Sequence, residues 1–391
     1  MVIKTGLDII KKHWPKKLKG ACAGLLVNPA SVNKKLEHAT DLFLHCGNFK
    51  LKALFGPQHG ICGDTQDNMV EWEGFRDKQT GLQVYSLYSH TRKPEPGMLK
   101  NIDVLVIDIQ DAGSRYYTFI WTMELCMQAC NEAGKSVVIL DRPNPIGGSV
   151  IEGPVLDTSF ASFVGHRPLP VRHGMTVGEI CSYFKNEHYQ ALDLHVIPMK
   201  GWKRKMWFDE TGLPWVMPSP NMPTPETAVV YPGMCLLEGT NLSEGRGTTR
   251  PFEIFGAPYA ESERLVRHLK VFKLPGVVFR PMYFKPAFQK HKGRLCGGAQ
   301  IHVTNREKFK PFKTGVAVIK AVYDLYPKQF QWKNPPYEYE TKKMPIDILA
   351  GTDLLRRDIE DGKSLKHMEE WWKGQCLEFN RKVRRKYLMY A

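Results

Sequence analysis

The sequence lacks the signatures of several large protein classes. No Gly-x-Gly-x-x-Gly opens the first strand-to-helix turn, where Val27-Asn28-Pro29-Ala30-Ser31 stands instead, and this argues against a dinucleotide. Gly245-Arg246-Gly247-Thr248-Thr249-Arg250 is incomplete and lies too late in the chain. A Walker A lysine loop and a Gly-x-Ser-x-Gly elbow are missing, so nucleotide hydrolysis and serine esterase chemistry lack support. His59, Asp64, Asp108 and Asp111 offer no strong ligand spacing such as His-Glu-x-x-His. Nine cysteines, an odd number without a Cys-x-x-Cys pair, argue against a disulfide framework and a zinc ribbon; Cys126 and Cys130 read as small core residues. No apolar run approaches the length of a membrane span, and the N-terminus lacks the apolar region of a secretory signal. We therefore expect no cofactor, no metal and no membrane span. The expected compartment is the cytoplasm, or the periplasm or exterior if a leader was removed.

What is present is ordinary for a globular chain: 391 residues, 42% hydrophobic and 24% charged, enough for two domains. The net charge is +15, from 55 basic and 40 acidic side chains, and its field attracts anions. Nucleic acid and an anionic glycan both fit that field. No helix-turn-helix, zinc-finger or RNP-type signature accompanies the charge, so nucleic acid is not the expected partner.

The first two thirds alternate strand-like and helix-like segments. Strands are expected at 21–27, 51–55, 84–88, 103–109 and 137–140, with helices near 37–46 and 123–133. Continuous apolar strands spaced by helices mean a parallel sheet covered on both faces. The apolar run from Ala228 to Leu237 also reads as a buried strand. After about residue 260, helices are expected at 263–269, 316–325, 346–361 and 365–386, with strands at 276–279 and 300–303. The fold expected is α/β: a Rossmann-like parallel-sheet domain over residues 1–260, and a smaller C-terminal α+β domain over 261–391 that completes the cleft.

Polar residues concentrate just after the strands, where open α/β sheets bind ligands. Gln58, His59, Asp111, Arg115, Asp141, Arg142 and Glu238 are therefore expected to converge. The densest cluster is 236–253, where Glu238, Glu244 and Glu253 sit with Arg246 and Arg250 among glycines and hydroxyls. Glycine lets backbone N–H groups approach a ligand closely. Glycoside hydrolysis needs two carboxyl groups, one protonated and one ionised; Glu238, Glu244, Asp111, Asp141 and Glu152 are the possible suppliers. Arg115, Arg142, Arg172 and Arg246 could clamp a substrate carboxylate, although each alone reads as a structural ion pair. His59 and His173 each precede a glycine, either as props of tight turns or as ligand contacts. Tyr88, Tyr116, Tyr117 and Trp121 could stack on a sugar, or fill the core.

At these loops the chain resembles a known family. Gly56-Pro57-Gln58-His59-Gly60 with Gly63-Asp64, Val84–Tyr88, and Asp108-Ile109-Gln110-Asp111-Ala112-Gly113-Ser114-Arg115-Tyr116-Tyr117-Thr118 come in order. Leu140-Asp141-Arg142-Pro143-Asn144-Pro145, Glu152-Gly153-Pro154, Arg172-His173-Gly174-Met175-Thr176 and the segment 238–253 with Asn241 follow. The pattern is similar to the NamZ-type exo-β-N-acetylmuramidases, formerly a family of unknown function, over nearly the whole chain. The resemblance implies release of N-acetylmuramic acid from non-reducing ends of peptidoglycan fragments, without cofactor. It implies a cleft between the two domains, with Gln58, His59, Glu238 and Glu244 at the chemistry. Asp64, Tyr88, Gln110, Asp111, Arg115, Tyr116, Asp141, Arg142, Asn144, Glu152, Arg172, His173, Asn241 and Arg246 are then expected around the muramyl sugar. In that family the residue before the histidine is typically a glutamate, the proposed catalytic residue; here it is Gln58. An amide neither donates a proton as an acid nor attacks as a carboxylate. Either Glu238 or Glu244 takes over that role, or the chemistry differs, or the chain binds the sugar without turnover.

Overall fold

The computed structural model describes residues 3–67 and 69–391. Among them, the main sheet comprises β1 (Cys22–Val27), β2 (Lys50–Gly56), β3 (Phe75–Arg76), β4 (Gln83–Ser86), β5 (Val104–Asp108), β6 (Ser136–Leu140) and, beyond a small antiparallel pair β7 (Glu152–Val155) and β8 (Pro170–Arg172), β9 (Leu194–Ile197). Their order across the sheet is β3-β4-β2-β1-β5-β6-β9. All neighbours run parallel except the short edge strand β3, which is antiparallel to β4. The chain winds outward from β1 through β2 and β4, then crosses to β5 on the other side. That reversal sets a switch point at the carboxyl ends of β1 and β5.

Period-2 geometry explains the continuous apolar strands. Leu25 and Val27 of β1, Val104 and Val106 of β5, and Val138 and Leu140 of β6 belong to one buried cluster with Leu7, Ile10 and Phe43 of the helices Gly6–His13 and Ala39–Leu44. Leu26, Leu105, Ile107, Val137 and Ile139 face the other way and pack with Met123 and Met127 of the helix Phe119–Glu132 and Ile180 and Phe184 of the helix Val177–His188. Both faces are covered, so the central strands β1, β5 and β6 carry apolar residues on alternate sides with few polar interruptions.

A second sheet, antiparallel and ordered β10-β12-β11, is built from β10 (Ile254–Ala257), β11 (Val277–Phe284) and β12 (Cys296–Val303). It takes its first strand from ahead of residue 260. The helices Ser262–Leu269, Pro311–Leu325, Pro345–Ala350, Leu354–Glu360 and Leu365–Lys382 complete this part. The helical segment expected over 346–361 is two helices, because Gly351 ends the first in a left-handed conformation at φ +76°. One buried cluster runs from Trp121 through Tyr231 to Ile346 and Trp372 and joins the two parts.

The run from Ala228 to Leu237 is not a strand. It forms the helix Pro225–Met234 and a 3₁₀ turn, Cys235–Gly239. Thr224 caps the helix by accepting a hydrogen bond from the Thr227 backbone N–H at 3.4 Å, and Pro225 opens its first turn. A helix buried nearly all round has no polar face, so its sequence carries no 3.6-residue period to tell it from a buried strand.

Candidate active site

Loops from the carboxyl ends of β2 and β5 deliver Gln58, His59 and Tyr116–Phe119 to one cavity. The C-terminal part closes over them with Glu238 from the 3₁₀ turn, Arg246, and Tyr337 and Glu338. The free space is about 40 Å³, room for a few waters; a whole sugar ring needs the lining to part. A roomier groove of about 790 Å³ lies along Trp207, Glu226, Arg250, His302 and Arg306. The smaller cavity is the candidate site because two buried carboxyls, Glu238 and Glu338, line it, whereas the groove has one, Glu253.

Glu238 is 4% exposed. Its Oε1 stands 2.7 Å from Arg246 Nη1, and its Oε2 accepts the Tyr337 hydroxyl at 2.9 Å. Arg246 Nη1 also donates to Glu244 Oε1 at 3.1 Å. Lys290 Nζ lies 3.0 Å from the other oxygen of Glu244 and donates to the Leu237 and Leu242 carbonyls at 2.7 and 2.9 Å. Burial disfavours ionised Glu244, but Lys290 and then Arg246 overcome it and hold the carboxyl down at about 2. Glu244 does not line the cavity. Its geometry suits a fixed counter-ion that aims Arg246 at Glu238, not a proton donor.

Gln58 Oε1 accepts from Thr118 Oγ1 at 2.8 Å, and its Nε2 donates to Tyr88 Oη at 3.1 Å. Tyr88 in turn donates to Glu338 Oε2 at 2.8 Å. Burial, with the nearby charge of Glu238, pushes the Glu338 carboxyl up to about 7 against hydrogen bonds from Tyr88 and Gln58.

His59 adopts φ +70° and is followed by Gly60 at φ +78°, a turn only a left-handed backbone completes. Its Nδ1 donates to the Thr65 carbonyl at 2.7 Å, which leaves Nε2 as an acceptor when the ring is neutral. Desolvation lowers its pKa from 6.5 to about 4, against the Thr65 hydrogen bond. The native state therefore binds this proton less readily than the unfolded chain. Its stabilising share is whole above pH 6.5 and is lost as pH falls through about 4, on the order of 2 kcal/mol for a half-buried ring. His59→Gln is expected to lose less stability than the wild type between those limits in denaturant titrations. Equal losses in the two proteins would refute the assignment.

The other sequence candidates lie elsewhere, and the expected convergence is partial. Arg142 makes a two-pronged ion pair with Asp108 at 2.6 and 2.7 Å; it fills the switch point, where a ligand was expected. Asp141 accepts from the Thr176 hydroxyl and the Gly178 N–H, each at 2.8 Å, and so caps the helix Val177–His188. Glu152 does the same for the helix Pro311–Leu325, accepting from the Phe312 and Lys313 N–H groups at 3.3 and 2.9 Å. Arg115 is fully buried and donates to the carbonyls of Pro154, Leu169 and Leu349 at 2.7, 2.8 and 2.8 Å. Arg172 donates to the Ile146 carbonyl and lies 5.4 Å from the Trp207 ring centroid. Asp111 accepts from the Gly113 N–H at 2.6 Å and stands 3.2 Å from His173 Nε2, both buried away from the cavity. Gln110 and Asn144 tie their own loops through the Pro143 and Met175 carbonyls, each at 2.9 Å. Asn241 bonds the Gln329 carbonyl at 2.8 Å. Asp64 is exposed and outside the lining. Trp121 is a core residue that donates to the Arg115 carbonyl at 2.7 Å.

Sequence reasoning missed Thr118, Ser219, Asn221, Tyr231, Tyr337 and Glu338, all on the cavity wall. One signal for the last two was available: Pro335-Pro336-Tyr337-Glu338-Tyr339-Glu340 alternates acids with aromatics in a segment without helical or strand periodicity.

Fold and cavity define a two-domain α/β protein with a buried cavity lined by two carboxyls, the pair of groups that glycoside hydrolysis needs. Models of the exo-beta-N-acetylmuramidase NamZ family match residues 23–226 with the N-terminal part and residues 229–390 with the C-terminal part. The chain belongs to that family. It is 48% identical, over 99% of its own length and 91% of the other's, to the peptidoglycan beta-N-acetylmuramidase NamZ of Bacillus subtilis (strain 168). Two crystal structures of DUF1343 family proteins from Bacteroides fragilis NCTC 9343 are similar throughout. One has a TM-score of 0.88 at 38% identity, covering 100% of this chain and 99% of that one; the second has 0.77 at 29%, with the same coverage. Among the described residues no helix is long and apolar enough to cross a membrane.

Proposed function

We propose that this chain is an exo-acting glycosidase that releases N-acetylmuramic acid from the non-reducing ends of peptidoglycan fragments. The observation that carries this reading is the pair of buried carboxyls, Glu238 and Glu338, lining one cavity in a chain related along its whole length to a peptidoglycan beta-N-acetylmuramidase. Glu238, fixed by Arg246 and Tyr337, faces the positive charge that develops on the sugar ring, or takes the proton of the attacking water. Glu244 and Lys290 hold Arg246 in place. Gln58, His59, Tyr116, Thr118, Ser219 and Asn221 supply donors and acceptors for the sugar. The +15 field draws in a substrate that carries a lactyl carboxylate. Nine unpaired cysteines suit a reducing compartment, and we place the protein in the cytoplasm, which cell fractionation tests.

A second reading, a muramyl-sugar-binding protein without turnover, is favoured by one feature: the amide of Gln58 at the cavity. Incubation with a chromogenic N-acetylmuramide and with the muramyl disaccharide separates the two. The glycosidase releases chromophore and free N-acetylmuramic acid. Calorimetric binding with the disaccharide left intact would instead favour the binding protein, and neither binding nor release would sink both.

A further inference from the structure

We propose that Glu338, at the tip of a tight turn in the C-terminal part, is the proton donor of this site. The proposal rests on the glycosidase reading and names the acid which that reading requires.

Glycosidic bond cleavage calls for one ionised and one protonated carboxyl beside the scissile bond. Among the described residues the cavity is lined by two carboxyls, Glu238 and Glu338. Their surroundings differ in the way two such roles demand. Glu238 is paired with a guanidinium at 2.7 Å. Glu338 accepts from a neutral phenol, Tyr88, at 2.8 Å, and Tyr88 is linked to the neutral amide of Gln58 at 3.1 Å. Glu338 is 5% exposed, and among the described residues no cation forms an ion pair with it, Arg246 acting on it only from a distance. The raised pKa noted above, about 7, agrees with a carboxyl that keeps its proton in a neutral solution.

The backbone gives an independent reason. Tyr337 and Glu340 exchange both backbone hydrogen bonds, at 2.9 and 3.0 Å, and close a two-residue hairpin turn. Its two central residues, Glu338 and Tyr339, have φ of +44° and +66°. Turns of this kind favour Asn-Gly because both central residues must be left-handed. Glutamate and tyrosine are poor choices for the turn itself. They persist where a side chain must be delivered to a set place, and strain of this sort gathers at functional sites. Each residue of the turn is also held by its side chain: Tyr337 by Glu238 at 2.9 Å, Glu338 by Tyr88, and Tyr339 by Arg92, whose guanidinium lies 3.9 Å from the ring centroid.

In the step assigned to it, the Glu338 carboxyl gives its proton to the oxygen that bridges the two sugars. The bond from C1 to that oxygen breaks, and the electron pair stays on the oxygen, which leaves as the hydroxyl of the next sugar. Water adds its oxygen to C1. Its surplus proton passes to a carboxylate of the pair and, by exchange with solvent, returns Glu338 to its protonated form. One water is consumed and no oxidant or reductant takes part.

The test compares wild type and Glu338→Gln on two substrates: the muramyl disaccharide, whose leaving sugar hydroxyl needs a proton, and the 2,4-dinitrophenyl N-acetylmuramide, whose leaving group does not. Glutamine keeps the shape and the hydrogen bond from Tyr88 but has no acidic proton. The expected result is a loss of about 10²–10⁴-fold in kcat on the disaccharide, with the aryl glycoside cleaved within about tenfold of the wild-type rate. The ratio of the two rates within one preparation does not depend on how much of the variant is folded. Equal losses on both substrates would mean that Glu338 only supports the turn, and full activity on the disaccharide would remove it from the chemistry; either overturns the proposal while leaving the glycosidase reading intact. If the wild type cleaves neither substrate, that reading fails first and the proposal falls with it.

Discussion

Arg246→Met is expected to cost about 3–5 kcal/mol of stability and to abolish hydrolysis. Arg246 is buried and serves two carboxylates at once, Glu238 at 2.7 Å and Glu244 at 3.1 Å. Methionine matches much of its length but carries no charge. Lys290 still neutralises Glu244 at 3.0 Å. Glu238 loses the guanidinium at 2.7 Å, while the Tyr337 hydroxyl and the Cys235 thiol still donate to it. Removing one partner of a buried pair is far costlier than the pair's net worth, because the other charge remains out of water. Denaturant unfolding at neutral pH measures the stability change, and product release measures the activity. A variant within about 1 kcal/mol of wild type would show that the network is solvated and contributes no more than a surface pair.

Gly315→Ala is the second large effect, and it arises far from any charge. The helices Pro225–Met234 and Pro311–Leu325 cross where Gly233 meets Gly315. A Cβ built on Gly315 falls 2.1 Å from the Gly233 carbonyl oxygen, and one built on Gly233 falls 1.9 Å from that of Pro311. Both obstacles are backbone, so no side chain can turn aside. One methyl therefore forces the helices apart, at a cost of about 1–3 kcal/mol or more. The helix Pro225–Met234 runs directly into the 3₁₀ turn that carries Glu238, so activity should fall with stability. Gly374, in the helix Leu365–Lys382, meets nothing within 4 Å; Gly374→Ala is the control, expected to be neutral or to stabilise by about 0.5–1 kcal/mol. If Gly315→Ala unfolds at the wild-type denaturant concentration, the helices do not cross at these glycines.

The catalytic role of the residue before His59 can be weighed in the same terms. Gln58 sits in the cavity as the sequence pattern suggests, but its amide is held between Thr118 and Tyr88 as a positioning group. The carboxyls that share the cavity with it come from 238 and 338, both in the C-terminal part.

Much of the scaffold was legible from local chemistry. Alternate residues of β1, β5 and β6 fill two separate cores, so a continuous apolar run announced a sheet covered on both faces. Of the loop residues after the strands, those following β2 and β5 reach the cavity, Gln58, His59 and Tyr116–Phe119, while Asp141 and Arg142 do not. The helix Pro225–Met234 was misread for the converse reason: burial on nearly every side erased its period. What tertiary structure alone decided is the direction in which each polar side chain points. Asp141 and Glu152 cap helix N-termini, Arg115 spans three carbonyls, and Arg142 closes on Asp108 from 34 residues away. By type and position in the chain, these residues are indistinguishable from Glu238 and Arg246. Chain position specifies where a carboxylate starts, but its role depends on which donor or charge the folded chain brings within about 3 Å. For Glu338 that partner is Tyr88, 250 residues away, and only the folded chain brings the two together.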